Sequence, residues 1–190
     1  MPVPLCPIRF TSAASALVGL RAADRATGTA PALGPTAYEF VQHVGYWSHY
    51  DEHSQTSAWP LPTLINLDAL ARFARDRCVL RQSPMVGDIA LIWSHARQSF
   101  VRAAVVVVVG QWIPSDKYGL PAWDCTTIEG DSDENLRLGG GAVMRHSRRL
   151  ALSRGDRFVH WPALDERFDA RFAEDELRAG EGRALMEVFA

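Results

Sequence analysis

Apolar positions recur at helical spacing in the first half of the chain and at strand spacing, or continuously, in the second. Residues 1–12 contain three prolines and read as an irregular arm. From Ala13 to Ala26, Ala16, Leu17 and Leu20 give a helical pattern, and Thr27 to Pro35, rich in Gly, Pro, Ala and Thr, reads as a loop. A helix is predicted from Ala37 to about Val44, with Thr36 placed to cap it and Tyr38, Phe40, Val41 and Val44 as its apolar positions. Gly45 to Pro62 reads as a long polar-aromatic loop. Asn66 is placed to cap a second helix, Leu67 to Arg77, with Leu67, Leu70, Ala71, Phe73 and Ala74 on one face.

After Ser83-Pro84 the period changes. Strands are predicted over Asp88 to Trp93, Phe100 to Trp112, Ala122 to Glu129, Gly141 to Arg148 and Arg157 to Trp161, with a turn at Ser94 to Ser99. Val105 to Val109 are all β-branched, and a run apolar on both faces implies a central strand covered on both sides. Helices followed by an antiparallel meander make an α+β layout. Residues 165–190 are charged and helix-prone, with Phe168, Phe172, Leu177, Leu185 and Val188 apolar. The implied organisation is an arm and helix over 1–35, a central domain over 36–164, and a helical tail over 165–190 that packs on the domain or docks a partner.

Composition narrows the function classes. A length of 190 residues fits one domain with a real core. A net charge of -2 implies no broad attraction to nucleic acid or to an anionic membrane, and the short basic group Arg145, Arg148, Arg149 reads as a solvated strand end. No stretch approaches the ~20 apolar residues of a membrane span. The start of the chain lacks the pattern of a signal peptide, which gives the expectation of a cytoplasmic protein; carriage by a dedicated secretion system or a phage particle stays open. Three cysteines, Cys6, Cys78 and Cys125, without regular spacing give neither a disulfide framework nor a zinc pattern, and no cofactor is expected. The six tryptophans read mostly as core anchors.

Several short blocks occur in a telling order. Pro84-Met85-Val86-Gly87-Asp88 opens the sheet. Glu129-Gly130-Asp131 sits on the third strand. Gly139-Gly140-Gly141 follows, and Phe158-Val159-His160-Trp161-Pro162 closes the series. In that order the blocks resemble the CHAP family of cysteine- and histidine-dependent amidases and peptidases, with its papain-like, NlpC/P60-related fold. The resemblance covers roughly residues 36–164. It implies a nucleophilic cysteine at a helix N-terminus, where the positive end of the dipole favours thiolate. It also implies a histidine opening the next strand and a polar side chain after Glu-Gly to orient it.

At these three positions the chain carries Ala37, Arg102 and Asp131. Alanine keeps the helix and loses the nucleophile, and arginine stays protonated and cannot act as a base. The resemblance therefore implies a catalytically degenerate CHAP-like domain. Its cleft would lie among Ala37, Arg102 and Asp131, with Trp47, His49, Trp59 and Glu129 as binding residues, and Arg102 could pair with Asp131. The implied partners are peptides, peptidoglycan or another protein. The alternatives are an active amidase or peptidase with a non-standard nucleophile, and a structural protein docking through its tail.

Substitute chemistry has few candidates. Cys125 with His95 would make a relocated dyad, against the plainer reading of Cys125 as a small buried hydrophobe. Thr36 offers a hydroxyl beside the vacant position, but reads first as a cap. Cys78, ending an amphipathic helix, reads as a packing residue. His43, His49, His53 and Asp51 crowd one segment without a standard metal spacing. Asp131, Asp133 and Glu134 lack the spacing of a calcium loop.

Overall fold

The structure, a computed structural model, describes residues 5–20, 37–62, 66–115, 119–132 and 141–164. It is an α+β domain: N-terminal helices on a multi-stranded antiparallel sheet, closed by short C-terminal elements. Helix α1 spans Pro7–Ala16, α2 Ala37–Ser48 and α3 Leu67–Asp76. A small hairpin, β1 (Tyr50–Asp51) and β2 (Thr56–Ser57), follows α2. The main sheet has β3 (Leu80–Arg81), β4 (Ile89–Ser94), β5 (Ser99–Ile113), β6 (Ala122–Ser132), β7 (Ala142–Leu150) and β8 (Arg157–Val159). Their order across it is β3-β8-β4-β5-β6-β7. Short 3-10 turns occupy Leu152–Arg154 and Trp161–Leu164.

The first helix begins earlier than its pattern suggests. Proline at the first helical position loses no hydrogen bond, since that N–H would be orphaned anyway. Phe10 and Ala14, four residues apart, are fully buried. So α1 begins within the stretch expected to be an irregular arm and ends at Ala16, early in the stretch expected to be helical; residues 21–36 lie outside the described set. Its side chains join the core that also holds α2 and α3. The expected loop over 45–62 also differs: α2 runs on to Ser48, and the hairpin turn is held by Asp51, which accepts from the His53 amide (3.1 Å) and Ser54 Oγ (2.9 Å). The Asn66 cap forms as expected, its Oδ1 accepting from the Ala69 amide at 2.9 Å.

Alternation along the strands divides the sheet into two faces. One carries Ile89, Leu91, Ala103, Val105, Ile128, Val143 and Val159, packed against the helices. Two glycines allow close approach there. A Cβ on Gly130 would stand 2.5 Å from the Phe40 Cβ, and one on Gly45 would enter the Trp59 indole. The other face carries a smaller apolar cluster, Ala90, Ala104, Val106, Cys125, Leu150 and Phe158. The register places Arg102 on this second face: it pairs with Ile92, two positions along from the Ala90–Ala104 pair.

Candidate functional site

The two ends of the expected signature meet in space. Gly87, at φ +89°, turns the chain into β4 beneath Pro7; a Cβ there would lie 2.6 Å from the Pro7 Cβ. Its carbonyl accepts from Trp161 Nε1 at 2.7 Å. The neighbouring Asp88 is fully buried; one oxygen is hydrogen-bonded to His160 Nδ1 at 2.7 Å, and the other accepts from the Met85 amide at 2.8 Å. Burial pushes the Asp88 carboxyl above its usual value, opposed by the hydrogen bond and charge of His160. The Gly-Asp and Phe-Val-His-Trp blocks thus form a clasp between the start of β4 and the end of β8.

On the same face an ion cluster spans three strands. Glu129 on β6 is fully buried. Arg102 Nη1 on β5 donates to its Oε2 at 3.0 Å. Arg148 on β7 donates through Nη2 to Oε2 at 2.6 Å and through Nε to Oε1. Thr127 Oγ1 adds a bond to Oε1 at 3.0 Å. Burial alone would push the Glu129 carboxyl up, but the two guanidiniums and the hydroxyl outweigh it and hold it below the ordinary glutamate value. This is the fork geometry in which arginine binds carboxylate most strongly.

The expected cleft residues do not converge. Arg102 faces away from the helices, whereas α2 opens at Ala37 on the helix side of the sheet. The partner seen for Arg102 is Glu129; the side chain of Asp131 lies outside the described set, as does Thr36. His49 and Glu129 are both fully buried. His49 is a core residue: its Nε2 accepts from the Cys6 amide at 2.9 Å, and its ring stacks on Trp59 and meets Trp161 edge-on. Burial lowers its pKa. Trp59 is held by Phe10, Trp161 and a 3.0 Å bond from Nε1 to Gln42 Oε1. Of the four, Trp47 is the exposed one, 48% accessible, in ring contact with Tyr46 and Tyr50.

The relocated dyad does not form. His95 sits in the exposed β4–β5 turn, while Cys125 pairs with Val109 toward the far end of β5. Ten residues of strand separate Ser99 from Val109, on the order of 30 Å of chain. Cys125 is buried, and burial with the nearby Asp124 and Asp88 charges pushes its thiol up to about 12. A thiol in that state is inert at neutral pH. Cys78 is exposed, not packed: it follows α3 in the left-handed region at φ +58°. Its backbone, which turns the chain toward β3, sets its place.

Among the described residues no group of three or more His, Cys, Asp or Glu is gathered to hold a metal ion. Nor is any helix there long and apolar enough to cross a membrane. The sequence reading missed the pairing of Asp88 with His160 and that of Arg148 with Glu129. Buried polar residues at alternate positions of β-branched strands were the available signal, since a charge on a covered face needs a partner. No family model, curated protein or solved structure matches the chain.

Proposed function

We propose that this is a catalytically degenerate CHAP-like, papain-like domain, a pseudo-amidase that binds a peptide, peptidoglycan or protein partner and does not cleave it. The observation that carries the reading is the fate of the position matching the family's histidine. Arg102 there is a buried member of a carboxylate-guanidinium cluster, held to Glu129 at 3.0 Å. A permanently charged, buried, hydrogen-bonded group neither takes up nor releases a proton during turnover. The raised thiol of Cys125 supports the same reading. The exposed Tyr46 and Trp47 rings, with the half-buried Tyr50 ring against them, supply a surface for a partner, as aromatic side chains give much contact area at little entropic cost.

The test is incubation of the full chain with purified peptidoglycan and, separately, with a thiolate-selective probe. The expected result is co-sedimentation weakened by Trp47→Ala, no soluble fragments released, and slow labelling of Cys125. Fragment release abolished by Cys125→Ser or Thr36→Ala would overturn the reading in favour of an active amidase.

A further inference from the structure

Beyond the reach of the helices, the helix-side face of the sheet holds a pocket of about 470 Å³ across β5, β6 and β7. Its walls come from Val108 and Gly110 on β5, Asp124 and Thr126 on β6, and Ser147 and Arg149 on β7. The register sets these side chains in opposed pairs, Thr126 with Ser147 and Asp124 with Arg149. Two hydroxyls therefore stand next to one carboxylate and one guanidinium, the latter two 3.3 Å apart and each about half exposed. Gly110 lets β5 lie close against Asp124: a Cβ there would sit 3.1 Å from the Asp124 carbonyl oxygen. Val108, 51% exposed, adds an apolar wall.

The chemistry of the walls excludes most ligand classes. A lone anion would meet Arg149 but also Asp124, and Arg148 behind it is committed to Glu129. A lone cation would meet the reverse mismatch. A wholly apolar ligand would strip water from two charges and two hydroxyls without replacing those bonds. A small molecule carrying both charges one carbon apart faces neither problem. Its ammonium can lie against Asp124 and its carboxylate against Arg149, closing a square of alternating charge. The hydroxyls of Thr126 and Ser147 complete the hydrogen bonds, and Val108 meets a side chain. The volume lies within the range of small-molecule sites.

We propose that this pocket binds the zwitterionic head of an α-amino acid. The pocket shares no residue with the expected cleft or with the Tyr46, Trp47 and Tyr50 surface, and does not depend on whether the domain is a degenerate amidase. The test is titration of the ¹⁵N-labelled full chain with L-leucine, followed by amide shifts, alongside N-acetyl-leucine, which keeps only the carboxylate, and leucinamide, which keeps only the ammonium. Leucine is expected to shift the Gly110, Thr126 and Ser147 amides saturably, with both single-charge analogues weaker by at least about tenfold. Asp124→Asn and Arg149→Gln are each expected to weaken leucine by a similar factor while leaving the rest of the spectrum in place, since both side chains are half exposed. Absence of saturable shifts at these amides, equal binding of either analogue, or binding indifferent to both substitutions would overturn the proposal.

Discussion

The two faces of the same sheet are built on opposite principles. Where the helices cover it, the helix-side face is apolar: Ile89, Leu91, Ala103, Val105, Ile128, Val143 and Val159 pack with α1, α2 and α3, and the charged Asp124–Arg149 pair stands farther along the strands. The other face sets a small apolar cluster beside Asp88, Arg102, Thr127, Glu129, His146, Arg148 and His160. Apolar burial is non-directional and tolerates small shifts, whereas buried charges need their partners in place. The difference teaches that the first face supplies most of the cohesion, and the second fixes which strands lie together.

The largest expected effect breaks the polar face. Glu129→Ala leaves two guanidiniums facing each other without their carboxylate and should cost about 3–5 kcal/mol, read as a drop in the urea midpoint. The pH dependence follows from the same residue. Because the folded-state pKa of Glu129 is lowered, its contribution is present above the ordinary value of 4.5 and lost as pH falls through the folded value. The gap in stability between wild type and Glu129→Gln should therefore shrink on acidification below 4.5; a gap that is flat or widens there would contradict the assignment.

The next effect probes the apolar face. Gly130→Ala forces a methyl against Phe40 and should cost about 1–3 kcal/mol with no added pH dependence. A pH-dependent loss would mean that the faces are coupled through β6. Smaller still is Asn66→Ala, which removes the α3 cap and should cost about 1 kcal/mol in thermal or urea unfolding. At the bottom, Arg149→Ala at the half-exposed Asp124 pair should change stability by less than about 0.5 kcal/mol. A larger loss would extend the polar face's design to the rim of the sheet.

Periodicity made the apolar face legible in the sequence. The strands starting near Asp88, Phe100, Ala122, Gly141 and Arg157 all form close to their expected bounds, because alternation, β-branching and the continuous apolar run of β5 report directly on burial in a sheet. Asn66 and α3 were legible for a similarly local reason. The start of α1 was not, since Pro2, Pro4 and Pro7 read as breakers although Pro7 sits where a helix tolerates proline best. On the polar face the pattern could mark a charge in need of a partner, but not which partner. Glu129 is 27 residues from Arg102 and 19 from Arg148, and Asp88 is 72 from His160; no local pattern encodes such partners. That is why Glu129 and His49 looked like cleft residues: polar and aromatic types suggest a site until burial shows them satisfied from within.

Arg102 belongs to the architecture of the sheet, as a buried partner of Glu129. A double-mutant cycle of Arg102→Met and Glu129→Gln, with stability read from urea unfolding of the full chain, tests it most directly. The account predicts strong coupling, about 1–3 kcal/mol, with the double variant more stable than the two single losses would give if added. Additive losses, with coupling near zero, would contradict it and return Arg102 to the candidates for function.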